Sequence, residues 1–321
     1  MGLVPARLSE LLTALDAVNP VGTVLSVCVQ VASVLPLLRQ AAVVSPMAAA
    51  VAERMVAGDA MVALAATEDG LSGAALLDAA TVVRDTGESI SVDGSKAWIT
   101  NAGQCDYALV LARHRPERHF TSFCWVLVPT ALPGVRFEPT AADLYAGAGL
   151  GRLELRDVRL DRAAIVGRPG RALAELTRQL GAERLAGGFW ARAVCRRVLS
   201  ETHRYLHRRS TGSGWLWDNA AVRERFARCV LEYRQLEAIC DAVAASRLTP
   251  VSGMLIKAAA ASTVDRILGE CVALHGAESL HTNGLSRLRE QLTMFGIAGG
   301  ATANMLAGIA DHAEELLDGS R

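Results

Sequence analysis

A tryptophan and two threonines could together bind a planar ring that has a polar edge. Thr67 and Thr100 carry hydroxyl groups that donate and accept hydrogen bonds, and Trp98 offers a flat apolar surface. A ring that stacks on an indole and bears hydrogen-bonding atoms at its rim needs this set of groups. The alternative is that Trp98 is a core aromatic residue of a strand, which is the commoner role for tryptophan taken alone.

Two charged residues could act on a substrate or on a phosphate. Glu183 lies in the segment Ala182–Gly188, and a carboxylate in an apolar pocket is suited to removing a proton. Arg208 belongs to a basic cluster, and a guanidinium binds phosphate through paired hydrogen bonds. The alternative for Glu183 is a surface glutamate on an amphipathic helix. The alternative for Arg208 is a solvated charge at a helix end. We expect His275 to be a packed histidine near a helix end.

Composition excludes several classes of protein. The chain of 321 residues has zero net charge and 51% apolar residues, enough for a buried core. No basic block alternates with aromatic residues, so we expect no nucleic-acid partner. The seven cysteines form no Cys-x-x-Cys pair, which argues against a metal site and favours reduced thiols in the cytoplasm. Segment 21–38 is uncharged, but its polar residues and Pro36 favour a buried helix over a membrane span.

Three regions of the chain differ in pattern. Residues 1–61 have apolar side chains at helical spacing and predict an N-terminal helical region. Residues 62–166 contain short apolar runs bounded by turn-forming residues, which predict a β-domain, and Asp93-Gly94 predicts a hairpin turn within it. Residues 167–321 return to helical periodicity and predict an antiparallel bundle of four or five long helices.

Several segments resemble the acyl-CoA dehydrogenase family. Leu64–Gly70 is similar to the family's TEPGAGSD segment, and Gly94–Asn101 is similar to its NGxKxWITN segment. The similarity continues through residues 106–113, 155–160 and 166–171, and it runs from about residue 20 to about residue 310. The resemblance implies a mainly α fold in which a central β-barrel separates a helical region from a C-terminal helical bundle.

The resemblance also implies an activity and a set of site residues. Family members use FAD to desaturate the α,β bond of an acyl thioester carried by CoA or by an acyl-carrier protein. By position, the implied flavin contacts are Thr67, Gly73, Trp98, Thr100, Arg208, Asn219, Gly276 and Thr302, and the implied substrate contact is Arg184. Some flavin positions depart from the family pattern: Thr211 replaces a phenylalanine, Asn219 a glutamine and Ala273 a glutamine. We therefore expect weak or partner-dependent FAD binding.

The proton-abstracting residue departs most from the family. The match places Gly299 where most members carry the glutamate that removes the substrate α-proton, and glycine cannot abstract a proton. The backbone N–H of Gly299 could still bind the thioester carbonyl. Some members place the base on an earlier bundle helix, in a segment reading E-R-L, and Glu183-Arg184-Leu185 resembles that segment. Glu183 is therefore the candidate base.

Three hypotheses stay open at this point. The chain could be a working flavoenzyme, a weakened or non-catalytic subunit that pairs with a complete dehydrogenase chain, or a non-redox scaffold that binds a ligand. Less helix precedes Thr67 than is usual in the family, so either the acyl pocket is open or a partner chain closes it. We expect a homo-oligomer or a hetero-oligomer with a related dehydrogenase chain; the acyl group and the electron-transfer partner are not specified.

Overall fold

The computed structural model describes residues 4–73, 75–140, 143–246 and 248–318. These residues form two compact units. The first unit contains residues 20–180, and the second contains Val4–Asn19 together with the chain from Gly181 onward.

The strands are contiguous in the sequence, and helices precede and follow them. The helices of the described residues are α1 (Pro5–Val18), α2 (Val21–Val29), α3 (Leu35–Ala41), α4 (Pro46–Ala57), α5 (Ala172–Leu206), α6 (Ala220–Ala245), α7 (Pro250–His275), α8 (Leu285–Leu292), α9 (Thr302–Asp311) and α10 (Ala313–Leu317). The strands are β1 (Val62–Ala65), β2 (Val82–Asp85), β3 (Ser89–Ile99), β4 (Tyr107–Arg113), β5 (Phe123–Pro129), β6 (Val135–Pro139), β7 (Gly151–Asp161) and β8 (Ile165–Val166).

Local sequence signals define several helix ends. The Ala48 N–H donates to the Ser45 hydroxyl at the start of α4, and Pro46 occupies the first helical turn. The helix ends at Gly58, whose φ of 84° is the left-handed conformation that glycine adopts without strain. At α7, Thr249 and Ser252 form a reciprocal capping box, and Pro250 follows the cap.

The eight strands form one sheet in the order β6-β7-β3-β2-β4-β5-β8, and β1 pairs with β4. The pairs are antiparallel except for β1 with β4 and β2 with β4, which are parallel. The pairings among the described residues make an open path from β6 to β8, so closure of the sheet into a barrel stays a prediction.

The core of the first unit covers both faces of the sheet. Alternate residues of β4 and β5 contribute to separate clusters, as expected when a strand is buried on both sides. Leu109, Leu111 and Trp125 pack in one cluster with helical residues such as Leu38 and Leu173. The residues between them pack in the other cluster, namely Ala108, Val110, Ala112, Cys124, Val126 and Val128.

The predicted hairpin turn at Asp93-Gly94 is wrong. Both residues lie inside β3, at a β-bulge where the register against β7 shifts between the Val92 and Gly94 pairs. A Cβ on Gly94 would lie 2.3 Å from Thr81 Oγ1, so glycine is needed for close approach of the backbones. The hairpin turn lies between β2 and β3, where Gly87 has a φ of 95°.

The apolar run near the N-terminus is one helical stretch. Val21–Ala41 is long and apolar enough to cross a membrane by length and composition, although 56% of the tested window is buried. Val24, Val34 and Leu38 have no exposed surface, which is the pattern of a core helix. The C-terminal part also differs from expectation, since its described residues form three long helices, α5, α6 and α7, and then shorter ones.

Candidate active site

Glu183 and Gly299 meet in the second unit. Glu183 lies on α5, on a stretch whose Leu185, Phe189 and Trp190 side chains are buried. Gly299 precedes α9 and has a φ of 70°, which disfavours any residue with a side chain. A Cβ on Gly299 would lie 3.0 Å from Oε1 of Glu183. The carboxylate therefore lies next to the point where a side chain at position 299 would begin.

Arg184 binds the loop that contains Gly299 and Gly300. Its Nε donates to the Gly299 carbonyl at 3.2 Å. Burial lowers the pKa of Arg184, and the neighbouring Glu183 opposes that shift. A Cβ on Gly300 would lie 2.8 Å from the Met305 side chain and 3.3 Å from Arg184 Nη2. The loop is thus packed so closely that both positions suit glycine.

A buried lysine adjoins the same group of residues, and the sequence analysis did not identify it. Lys257 lies on α7 with 6% of its surface exposed, and its Nζ donates to the Phe295 carbonyl at 2.5 Å. Burial lowers its pKa to about 8, while Glu183 favours and Arg184 disfavours the charged form. A single cation inside the apolar run 253–261 was the available sequence signal.

The predicted ring-binding residues lie in the first unit. Trp98 is at the end of β3, within a second register irregularity, and it has a φ of 57° and 66% exposure. A positive φ is unusual for a bulky residue and commonly marks a functional position. Ala97 N–H donates to the Thr67 carbonyl at 3.2 Å, so the Thr67 segment lies beside Trp98. Thr100 is half-buried and follows directly.

A buried ion pair supports the Thr67 segment. Lys96 Nζ lies 2.6 Å from the Glu68 carboxylate, and neither side chain is more than 7% exposed. Thr81 donates to the same carboxylate through its backbone N–H and its hydroxyl. Burial lowers the pKa of Lys96, opposed by Glu68. The segment that carries Thr67 is therefore fixed to β3 close to Trp98, whereas Gly73 is exposed beyond it.

The other predicted cofactor residues lie in the second unit. Arg208 is exposed just past the end of α5, and Gly276 ends α7. Asn219 caps α6, because its Oδ1 accepts from the Ala221 N–H at 2.9 Å. Thr302 donates to the Gly296 carbonyl at 3.3 Å, which ties α9 to the loop before Gly299. The side chains of Asn219 and Thr302 therefore both have hydrogen-bond partners within the protein.

His275 is packed, as expected from the sequence. Its ring stacks on Tyr205 with centroids 4.0 Å apart, and its Nε2 lies 3.2 Å from the Thr202 hydroxyl. Burial lowers its pKa. Across residues 4–318 apart from the short undescribed gaps, no three His, Cys, Asp or Glu side chains form a cluster that could bind a metal ion.

Two family models match most of the chain. The acyl-CoA dehydrogenase middle domain matches residues 63–158, and the acyl-CoA dehydrogenase C-terminal domain matches residues 172–314. Among curated relatives, the acyl-[acyl-carrier-protein] dehydrogenase MbtN of Mycobacterium sp. (strain MCS) is 26% identical over 73% of this chain and 60% of its own length. The long-chain specific acyl-CoA dehydrogenase of rat mitochondria (Rattus norvegicus) is 25% identical over 70% of this chain and 53% of its own. The chain thus spans less than two thirds of the length of these relatives.

Solved structures share the fold. An acyl-CoA dehydrogenase from Geobacillus kaustophilus has a TM-score of 0.90 at 19% identity, covering 96% of this chain and 82% of its own. The prolyl acyl carrier protein oxidase AnaB has a TM-score of 0.89 at 17% identity, covering 97% and 84%. PigA, solved as an FAD complex, has a TM-score of 0.87 at 18% identity, covering 97% and 83%.

Proposed function

Because the chain belongs to the acyl-CoA dehydrogenase family, we propose that it desaturates an acyl thioester between the α and β carbons with FAD as the oxidant. Glu183 is the base in this proposal, and the thioester is carried by CoA or by an acyl-carrier protein. An acyl-carrier protein as the carrier is supported by the name of the relative MbtN and by that of the structural neighbour AnaB.

The contact between Glu183 and Gly299 carries the proposal. A catalytic carboxylate has to reach one point beside the substrate, and either of two positions can supply it. With glycine at 299, the space next to the loop is filled by the carboxylate of Glu183, whose Oε1 lies 3.0 Å from the Cβ position of residue 299. The loss of the usual glutamate is therefore compensated from α5.

The residues around Glu183 suit proton abstraction. The Glu183 carboxylate takes the α-proton of the thioester, and the electron pair of that C–H bond becomes part of the new double bond as hydride leaves the β carbon. Bound FAD supplies the acceptor for that hydride. We assign the Gly299 backbone N–H to the thioester carbonyl, where negative charge develops. Arg184 holds this loop through the Gly299 carbonyl. The product is a trans-2-enoyl thioester.

The first unit offers groups that fit a flavin. An isoalloxazine ring needs an apolar face and hydrogen-bond partners at its edge. The exposed indole of Trp98, with its φ of 57°, is held next to the Thr67 segment, and Thr100 follows it. An exposed aromatic side chain on a strained backbone is difficult to explain by packing, and a ring that covers it would explain the strain.

The pyrophosphate of FAD requires a cation, and Arg208 is exposed and available for that role. Gly73, Asn219, Gly276 and Thr302 remain proposed contacts. Asn219 and Thr302 already bond within the protein, so each would have to share its bond or exchange it. Weak FAD binding by the isolated chain follows from this set, since each lost hydrogen bond costs about 0.5–1.5 kcal/mol.

The test is Glu183→Gln in the flavin-loaded protein. Anaerobic bleaching of the flavin by a panel of acyl-CoA and acyl-carrier-protein thioesters measures the full reaction. The substitution removes the base and retains the size of the side chain, so we expect bleaching to slow by about 10²–10⁴-fold while FAD affinity is unchanged. Glu290→Gln is the matched control, because it removes an exposed carboxylate of α8.

Two outcomes would count against this function. Bleaching by Glu183→Gln at the parent's rate would eliminate Glu183 as the base. A parent protein that binds FAD but bleaches with none of the thioesters would instead indicate a non-catalytic subunit. Mixing that parent with a complete dehydrogenase chain would then test the subunit hypothesis directly.

A further inference from the structure

Lysine is rare in this chain and is absent from its surface. Of the 33 Lys and Arg residues, two are lysines, Lys96 and Lys257. Lys96 is fully buried and Lys257 is 6% exposed. A buried ammonium is costly unless its protons are bonded and its charge is compensated. Lys96 meets both needs through Glu68, which leaves the role of Lys257 to be explained.

Lys257 bonds to the turn that leads into the Gly299 loop. Its Nζ donates to the carbonyl of Phe295, at 2.5 Å, within the short helical turn Thr293–Gly296. The Phe295 ring packs edge-on against Trp190, with centroids 5.3 Å apart. Trp190 in turn donates to the buried Asp16 at 3.2 Å. The turn is thus held by its ring on one side and by the ammonium on the other.

Lys257 interacts with the proposed base. Glu183 favours the protonated form of Lys257, and Arg184 opposes it. Both of these residues lie on α5. The buried ammonium and the Glu183 carboxylate therefore belong to one group of charged residues.

We propose that Lys257 is the positioning residue of the candidate active site. Its ammonium holds the turn before Gly299 so that the carboxylate of Glu183 keeps its place beside that glycine. The catalytic consequence rests on the proposed role of Glu183, whereas the hold on the turn concerns the fold alone.

The first experiment measures the turn without flavin or thioester. Hydrogen–deuterium exchange of the amides in 293–301 is compared between the parent, Lys257→Gln and Lys257→Met, with amides of α8 as an internal reference. Glutamine keeps a donor for the Phe295 carbonyl, and methionine removes both the donor and the charge. We expect exchange in this segment to rise at least about tenfold in the Met variant and less in the Gln variant. Unchanged protection in the Met variant would overturn the positioning role.

The second experiment tests whether the turn positions the base. A 3-thia-acyl thioester has sulfur in place of the β-methylene and cannot lose hydride, so exchange of its α-protons in D₂O reports on the base alone. Lys257→Met should exchange these protons about 10²-fold more slowly than the parent. Lys257→Gln should recover most of that loss, because glutamine still donates to the Phe295 carbonyl.

The outcomes distinguish this inference from the proposed function. If Glu183→Gln exchanges α-protons as fast as the parent, the proposed function fails, and the protection of 293–301 still decides the positioning role. If Glu183→Gln is inactive and both Lys257 variants exchange α-protons at the parent's rate, the base assignment stands and the positioning role of Lys257 is wrong. Equal losses in the Gln and Met variants would overturn the role of the hydrogen bond and reduce Lys257 to a packing residue.

Discussion

Glycine at 299 and glutamate at 183 are best understood as one feature. Residue 299 has a φ of 70°, and its missing side chain leaves room for the Glu183 carboxylate. Sequence comparison could present these positions only as alternatives, since they lie far apart in the chain. The structure adds that the two positions adjoin each other. A side chain at 299 would therefore crowd the Glu183 carboxylate and displace it by a few tenths of an ångström.

Gly299→Ala tests that crowding with the smallest possible side chain. The new Cβ would lie 3.0 Å from Glu183 Oε1, so the carboxylate has to shift slightly. We expect flavin reduction to slow by about tenfold, since a displacement of about 1 Å can cost about 10²-fold and this one is smaller. The left-handed backbone should also lower the free energy of unfolding by about 1–2 kcal/mol. Flavin bleaching and urea denaturation measure the two effects, and a variant as fast as the parent would show that Glu183 does not use this space.

Titration of Lys257 should appear in the stability of the protein. Its pKa in the folded state is about 8, below the ordinary lysine value of 10.5. Between those two values the unfolded chain binds more protons than the folded one, so the free energy of unfolding rises with pH across that window. The rise should reach about 3 kcal/mol and should be missing in Lys257→Met.

Denaturation of both proteins at several pH values between 7.5 and 10 gives that difference. Lysine labelled with carbon-13 at Cε provides an independent check, because the chain has two lysines and hence two signals. In Glu183→Gln the pKa of Lys257 should fall further, since Glu183 favours its charged form. A signal that titrates at the ordinary alkaline pH of lysine would contradict both expectations.

Among single residues, those with local chemical signals were easier to predict than those defined by their neighbours. The motif around Trp98 indicates a ring-binding residue, and the alternative of a core residue is wrong, because the side chain is 66% exposed. Asn219 was proposed to contact a cofactor, yet its side chain caps α6, a role that local spacing could have indicated. Lys257 was missed because its importance depends on Phe295 and Glu183, which no local pattern brings together.

At the scale of elements, the error at Asp93-Gly94 is instructive. The dipeptide is a common hairpin turn, but here the strand continues through it with a bulge. What decides between the two is a contact across the sheet, because a Cβ on Gly94 would meet Thr81. Such close approach is a property of the assembled sheet and is not encoded in the dipeptide. The helix caps at Ser45 and Thr249, by contrast, are local and readable.

Two glycines of the same sheet allow crowding to be separated from backbone strain. Gly94 has a φ of 153°, and its Cβ would lie 2.3 Å from Thr81 Oγ1. Gly87 has a φ of 95°, and nothing lies within 4 Å of its Cβ position. Gly94→Ala should therefore lower the free energy of unfolding by about 1–3 kcal/mol more than Gly87→Ala does. Equal losses in thermal or chemical denaturation would mean that the sheet adjusts at the bulge without cost.

At the scale of the whole molecule, the family and the order of helices, strands and helices were predictable from motifs. Segments such as Gly94–Asn101 are short, local and specific, so they identify a family even at low overall identity. Closure of the sheet is different, because it depends on how distant edge strands meet, and the open path from β6 to β8 leaves it a prediction.

The bundle surface predicts self-association. In the second unit, large apolar side chains are well exposed on the turns and helices after α5, including Leu231 at 59%, Leu280 at 73% and Ile297 at 69%. Such side chains are available for contact with another chain. We expect an oligomer whose interface buries about 2,000 Å² or more. Light scattering at micromolar concentration measures the mass, and a monodisperse monomer would contradict the expectation.

The burial of both lysines has a practical consequence for covalent labelling. Amine-directed reagents need an accessible, deprotonated side-chain amine, and the folded chain presents none, since Lys96 and Lys257 are 0% and 6% exposed. Either lysine can be labelled only after the protein around it opens. Lys96 lies in the first unit and Lys257 in the second. The rates at which the two amines react would thus report separately on the opening of each unit, in an unmodified chain and without an engineered probe.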